Sequence, residues 1–486
     1  MTIADDPRLP GWVPPFLTRQ RWFGGKGRAI AGVEIEDAAS LEPARDVELI
    51  LCRVVYADAP PDRYALLLAR RDDPAGLPVL GRLEPRGAGA VVEAASDARA
   101  AGALLAGFAG NTRTATRRGG QLEFGDVRAA TARLLGGPVP DITACGTEQS
   151  NTSLRVDREF VFKFFRRIET GENPEVEVGR FLSARTTFRA MAPLEGSITY
   201  RSPERESATV GVLQGWIDSR GDGWAFVLDA LTQAAASGAA LQHDLRRLGQ
   251  TTAEFHAALA SDRTSEAFRP EPVTPEEILA GREDVRARVA RIVDMVRSNL
   301  SAWLGETRRL GEAVIAHAPR VASIAAAVDP ASAGTFVKIR IHGDFHLGQT
   351  LKTPAGFALI DFEGEPATPL VRRRQKGSAL KDVAGMLRSF DYAVETVGRR
   401  APRAGGHAAP ADLRTPFLDA YFDTSARLGS AWIPRGPEGV APWLTLFELE
   451  KACYELEYEL NNRPDWVAIP LRGLVGLLAL PGEGPA

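Results

Sequence analysis

The stretch VKIRIHGDFHLGQTLKTPAGFALIDFEGEP, residues 337–366, gathers His342, Asp344, His346, Gln349, Asp361, Glu363 and Glu365 around two short apolar runs. Asp344 and Gln349 lie five apart after the strand-like FVKIRI, and Asp361 closes a second strand-like run, FALI. Two strand ends side by side would bring an acid from each into one pocket. Phosphoryl transfer from ATP needs such a set: one carboxylate to orient and deprotonate the acceptor hydroxyl, and further oxygen ligands to hold magnesium against the phosphates. Asp344 is the candidate base, and the Gln349 amide oxygen with the Asp361 carboxylate is the candidate metal set. His346, Glu363 and Arg372 are candidates for contacts to the acceptor, while Glu363 and Glu365 could equally touch metal or neighbouring arginines. The competing reading, that each acid caps a strand end or pairs with Arg372 to Arg374, fits any one of them better than it fits their joint spacing.

A site of this kind requires an ATP-holding lobe upstream. In VFKFFRR, Lys163 stands among aromatics and valines, an expensive place for an ammonium unless an anion meets it. It is the candidate for contact with the α/β-phosphates, the alternative being an edge-strand lysine reaching solvent. Glu177, fourteen residues on in a predicted helix, is its expected ion-pair partner, with Glu175 as competitor. The segment GTEQSNTSLRV, residues 146–156, occupies the place of a phosphate-covering loop without GxGxxG. Its Ser150, Asn151, Thr152 and Ser153 offer hydroxyls and backbone N–H groups, as an ordinary polar turn would also do. VLQGWI would follow as the hinge that meets adenine.

The elements that must position these groups change character along the chain. Up to about residue 95, VELILCRVVYA and RYALLLARR read as strands between Pro, Asp and Gly punctuation. From about 96 to 215, Ala-rich EAASDARAAGALLAGFA reads as helix, and QLEFGDV, SLRVDREFVFKFF and SATVGVLQGWI read as strands. NPEVEVGRFLSAR between them is a helix opened by Asn173-Pro174. After Trp216 apolar residues recur three or four apart, so helices dominate, and VGRRAPRAGGHAAPAD (397–412) reads as an exposed loop. The chain of 486 residues is 44% apolar and 25% charged, enough for a large core in two or three subdomains. A net charge of −3 supplies no broad positive field, which argues against nucleic acid or an anionic membrane as main partner. Cys52, Cys145 and Cys453 are far apart and lack CxxC spacing, as in a reducing compartment. With no signal-peptide pattern and no long apolar span, a cytoplasmic location is expected. In RQRWFGGKGR the glycines and cations tempt one to place phosphate, but the GK[ST] ending is missing. A turn that buries Trp22 and Phe23 is expected instead, and His243 and His256 read as structural.

The Asp344, Gln349 and Asp361 spacing resembles the protein-kinase arrangement in altered spelling, and HGDFHLGQ is closer to the aminoglycoside phosphotransferase branch. The whole chain resembles the maltokinases, through FLTRQRWFGGKGR (16–28), EQSNTS (148–153), HGDFHLGQ (342–349), DFEGEP (361–366), DVAGMLRSFDYA (382–393) and YELEYELNNRPDW (454–466). The resemblance implies an α+β, bilobal protein-kinase-like fold. It would comprise an N-terminal β-rich cap (1–95), an ATP-binding lobe (96–215) and a mainly helical C-terminal lobe (216–486). It also implies Asp344 as base, Gln349 and Asp361 on Mg2+, Lys163 on phosphate, and a sugar held by the segment from Tyr454 to Arg463. Tyr454, Tyr458 and Asn462 share one helical face there, flanked by Glu455 and Glu459, with Arg463 ending the helix before Pro464. Rings beside carboxylates and amides suit an uncharged saccharide; a stripe buried against a neighbour would show the same spacing. The expected activity is ATP-dependent phosphorylation of maltose at its anomeric hydroxyl. Glucosamine is the alternative acceptor, since its amine would suit Glu455 or Glu459. A silent binding partner of a trehalose synthase is the reading from another class, and intact Lys163, Asp344 and Asp361 argue against it.

Overall fold

A computed structural model of the chain describes all residues except 1, 42–43, 45, 75, 84–88, 138–139, 146–150, 234–237, 401–408 and 480–486. The fold is α+β and divides into two compact units. The first comprises Met1–Ala184, Ala192–Trp216 and Pro366–Arg372; the second comprises Arg185–Met191, Ile217–Glu365 and Arg373–Ala486.

Two antiparallel sheets build the first unit. The N-terminal sheet runs Ile30–Ser40, Val47–Tyr56, Asp62–Arg71, Ala90–Glu93, Val79–Arg82, and the short Arg167–Ile168 strand pairs onto Asp62–Arg71. Its central strands are buried on both faces, which is why they read as continuous apolar runs rather than alternating ones. Ile50, Cys52, Val54 and Tyr56 pack under the Leu9–Leu17 helix with the buried Trp22 and Phe23. Leu49 and Leu51 point the other way, into a cluster shared with Leu104 and Phe108 of the helix Ala98–Ala109 and with Phe162 and Val212. One apolar core therefore runs across the expected boundary near residue 95. The second sheet has the order Arg113–Ala115, Gln121–Gly125, Leu194–Arg201, Ser207–Gly215, Phe160–Phe165, Asn151–Val156, Ile142–Ala144. Fully buried Arg166 stitches the two regions together. Its guanidinium meets Glu93 at 2.5 Å and the Thr152 hydroxyl at 2.7 Å, and lies over the Trp22 and Phe164 rings.

Helices fill the second unit around one small hairpin, Thr350–Thr353 against Gly356–Leu359. The 27-residue helix Gly436–Asn462 packs on Leu380–Arg400 and on Pro275–Asn299, while Gly238–Leu259 packs on Pro410–Arg427. Pro275–Asn299 opens with a complete capping box between Thr274 and Glu277. The periodic stretch from Pro275 to His317 is two helices, because the chain breaks at residues 300–304 and restarts at Gly305, whose φ is +54°. Two sequence expectations are corrected. FVKIRI contributes only the two-residue strand Val337–Lys338, because the chain then leaves the ladder to form the polar loop. Of the expected loop at 397–412, residues up to Arg400 are helical and Pro410 begins the next helix; its middle lies outside the described residues. Among the described residues no helix is long and apolar enough to cross a membrane, and all three cysteines are free thiols.

Candidate active site

In the first unit, Lys163 sits on the strand Phe160–Phe165, directly opposite Ser153 on one side and Val212 on the other. Side chains alternate along a strand, so Asn151 and Ser153 share the Lys163 face and Thr152 does not. Thr152 is 1% exposed and accepts the Arg166 bond, which corrects its expected place among the phosphate-facing hydroxyls. Ser150 lies outside the described residues. Lys163 Nζ is 3.7 Å from Glu175 Oε1, so Glu175, the competitor, makes an ion pair with it, and Glu177 on the same helical turn is also buried. Asn173 caps this turn by accepting from the Glu175 amide, and Gln214 Nε2 donates to Glu175 Oε1 at 2.6 Å. Glu175 thus gains from the first turn of the helix Pro174–Arg185, where the backbone dipole favours negative charge. Gln214 belongs to the predicted hinge VLQGWI.

In the second unit, the loop from His342 to Gln349 carries the polar cluster. Asp382, at the start of the helix Leu380–Arg400, accepts from the backbone N–H of His342 (2.7 Å) and of Gly343 (2.9 Å). Its carboxylate also meets His256 Nε2 at 3.1 Å, while His256 Nδ1 bonds the Tyr421 hydroxyl. Burial pushes the Asp382 carboxyl upward, but the His256 hydrogen bond and charge prevail and hold it below the usual carboxylate range. Gly343 has φ +82°, a left-handed conformation that a side chain would strain, while a Cβ there would meet Gly364 Cα at an ordinary contact distance of 3.5 Å. The helix itself comes close enough that a Cβ on Gly385 would lie 2.6 Å from the Phe345 carbonyl oxygen. His342 is buried among Phe255, Phe345 and Phe362 and bonds the Ile360 carbonyl oxygen through Nε2. The sequence reads His256 as structural, and the anchoring by Asp382 has no local signal: it lies 40 residues from the His342 amide and 39 from that of Gly343.

Gln349 and Asp361 flank the hairpin. The pairing of Thr350 with Leu359 sets the next residues side by side, and Gln349 Nε2 donates to Asp361 Oδ2 at 2.9 Å. Asp361 holds φ +68°, a left-handed conformation that Asp tolerates far better than branched residues. His346 caps the short Leu347–Gln349 turn, its Nδ1 accepting from the Gly348 amide at 3.1 Å. Its Nε2 stands 3.9 Å from Asp344 Oδ2, and burial, opposed by Asp344, pulls its pKa below the ordinary value. One oxygen of Asp361 and one of Glu363 lie within 4.8 Å of each other. With the Gln349 amide this is a hard-oxygen donor set, which suits magnesium.

Asp344 is met by a group that no motif marked. Lys451, from the helix Gly436–Asn462, reaches Asp344 Oδ1 at 3.0 Å and Glu365 Oε1 at 2.6 Å. Burial raises the Asp344 carboxyl, yet Lys451 and then His346 hold it below the usual range. Tyr454, one turn on, lays its ring 4.7 Å from the same ammonium. Further along the helix the expectation is corrected. Glu455 and Glu459 are not presented to an acceptor but committed inside the unit, Glu455 to Arg388 (2.7 Å) and Glu459 to Arg463 (2.6 Å) and the Tyr392 hydroxyl. Both residues stay above the usual carboxyl range because burial outweighs these partners. Tyr458 is 45% exposed beneath the Arg463 guanidinium, and Asn462 is exposed with its amide on the Tyr458 carbonyl. Arg372 is exposed in the Pro366–Arg372 segment of the first unit, and Arg373 instead donates to the Glu363 carbonyl.

A strand lysine paired with a helix carboxylate, and a pinned acidic loop beside a metal-compatible hairpin end, are the parts of an ATP-dependent phosphotransferase. Residues 16–97 match the family model of the maltokinase N-terminal cap domain. A glucosamine kinase of Streptacidiphilus jiangxiensis is 30% identical over 346 residues, which is 68% of this chain and 72% of that protein. One of Mycolicibacterium smegmatis is 27% identical over 336 residues, 68% of this chain and 78% of that protein. A solved glucosamine kinase in complex with glucosamine, ADP and inorganic phosphate superposes with a TM-score of 0.66 at 25% identity, covering 96% of this chain and 97% of that one. The chain therefore belongs to the family of these glucosamine kinases, carries an N-terminal segment that matches the maltokinase cap, and is an ATP-dependent phosphotransferase with an alcohol group as acceptor.

Proposed function

We propose that the enzyme transfers the γ-phosphate of ATP to the anomeric hydroxyl of maltose, giving maltose 1-phosphate and ADP. The observation that carries the phosphotransfer reading is a carboxylate, Asp344, held ionised by Lys451 on a loop that Asp382 pins from behind. Asp344 orients the acceptor hydroxyl and takes its proton late, as the oxygen–phosphorus bond forms and the bond to the ADP oxygen breaks. Lys163, oriented by Glu175, meets the polyphosphate, with Asn151 and Ser153 on the same strand face. Gln349, Asp361 and Glu363 would hold magnesium, which when bound neutralises charge on the phosphates. On the acceptor side, Glu365 and His346 stand beside Asp344, with the Tyr454 ring against the Lys451 ammonium.

Maltose is favoured by the cap-domain match. Glucosamine is the second reading, favoured by the named relatives. ADP release with maltose, glucose, trehalose and glucosamine separates them. Maltose turnover to an acid-labile, alkali-stable phosphate supports the first reading, and turnover confined to glucosamine replaces it with the second. Lys163→Met is expected to lower kcat/KM for ATP about a hundred-fold, the scale of losing one preorganised donor to developing phosphate charge. Nucleotide titration and steady-state kinetics check this, and an unchanged constant would remove Lys163 from the site.

A further inference from the structure

The ammonium of Lys451 fills the space between two carboxylates, Asp344 and Glu365, and rests against the Tyr454 ring, with its side chain only 18% exposed. We infer that Lys451 is a built-in counter-cation that makes the acceptor pocket take an uncharged sugar and reject an aminosugar. The inference rests on Asp344 being the base, because the acceptor hydroxyl must then come within hydrogen-bond reach of it. Whatever sugar binds therefore lies beside this cluster.

Charge and geometry carry the rest. Without Lys451, two half-buried carboxylates would face the acceptor, and an aminosugar's ammonium would be the natural partner for them. With Lys451, both carboxylates and an aromatic face are already occupied by a cation of the chain's own. A second ammonium there meets repulsion across a few ångströms of partly desolvated space, and a repulsive element of this kind discriminates between otherwise similar ligands. Four of the six acids of the same helix already hold cations of the chain: Glu448 is paired with Arg414, Glu450 with Lys381, Glu455 with Arg388 and Glu459 with Arg463. A neutral sugar, by contrast, places hydroxyls against Glu365 and Asp344 without displacing Lys451.

The test compares kcat/KM for maltose, glucose and glucosamine in the full-length wild type, Lys451→Gln and Glu365→Gln, with folding checked by thermal melting. The wild type is expected to prefer an uncharged sugar. Lys451→Gln should shift the selectivity ratio towards glucosamine by about ten-fold or more, the scale of one repulsive contact removed. Glu365→Gln keeps the cation and removes one anion, so it should deepen the rejection of glucosamine, and this variant decides the matter if Lys451→Gln does not fold. An unchanged ratio in Lys451→Gln, or weakened rejection in Glu365→Gln, overturns the inference while leaving the maltose reading intact. Wild-type preference for glucosamine overturns both the inference and the maltose reading. A wild type that turns over no sugar removes the activity proposed above, and the inference with it.

Discussion

Asp344→Asn is expected to lower kcat by about a thousand-fold, within the range a positioned general base contributes, while ATP binding stays near wild type. The substitution keeps the shape of the side chain and removes the charge that accepts the proton. Lys451 retains Glu365 as a partner, 2.6 Å away, so the fold should lose little. Single-turnover kinetics with calorimetric nucleotide titration check both halves, and retained turnover would end the mechanism proposed here. A pH series adds an independent reading. Because Lys451 and His346 hold the Asp344 carboxyl below its usual range against the pull of burial, the base is ionised throughout the neutral region. Its acid limb should therefore fall below about pH 4, the ordinary carboxylate value. In Lys451→Gln the burial effect is left less opposed, so that limb should move upward.

Asp382→Ala should have the second largest effect, and on stability as well as rate. The change strips partners from the His342 and Gly343 amides and from His256, all inside the second unit. Breaking a buried charged network of this kind costs about 3–5 kcal/mol. Asp382→Asn is the milder version: its carbonyl can accept from one amide, but its NH2 group opposes the other donors. The loop then shifts, and a misplacement near 1 Å at a reacting group lowers kcat by about a hundred-fold. KM for both substrates should hardly move, since Asp382 touches neither. A lower melting temperature with kcat unchanged would make Asp382 purely structural. The pH dependence has a definite sign. A carboxyl whose folded pKa is depressed contributes stability above its unfolded value, about 3.9, and loses that contribution as pH falls through the folded value. The acid limb of the stability curve should therefore be shallower in Asp382→Asn.

The part of the site that reads from sequence is the part built by near neighbours. Gln349 and Asp361 are twelve apart, and the sequence already places both beside strand ends in one pocket; the hairpin with its turn at Pro354-Ala355 that closes the interval pairs Thr350–Thr353, a strand the sequence did not mark. Lys163 was legible because an ammonium in an aromatic strand needs an anion, and alternation along the strand then sorts Ser153 from Thr152. Its partner was less so: Glu175 and Glu177 lie on the same helical turn, and sequence cannot say which one turns to the strand.

For the C-terminal helix, sequence settled periodicity and tertiary packing settled sidedness. The spacing of Tyr454, Tyr458 and Asn462 on one face follows from 3.6 residues per turn whatever surrounds them. That Glu455 and Glu459 are drawn into internal pairs depends on Arg388, brought by another helix, and on Arg463 folding back. Lys451 meets Asp344 across 107 residues and Asp382 meets the loop across 40. No local pattern encodes such contacts, because each exists only once two helices have docked beside the hairpin. The sequence by itself determined the reaction class and marked the loop proposed to carry it, since strand and turn geometry are local. Only the tertiary structure decided which charges surround the base, because a buried ammonium or carboxylate takes its partner from whichever element the packing places within reach.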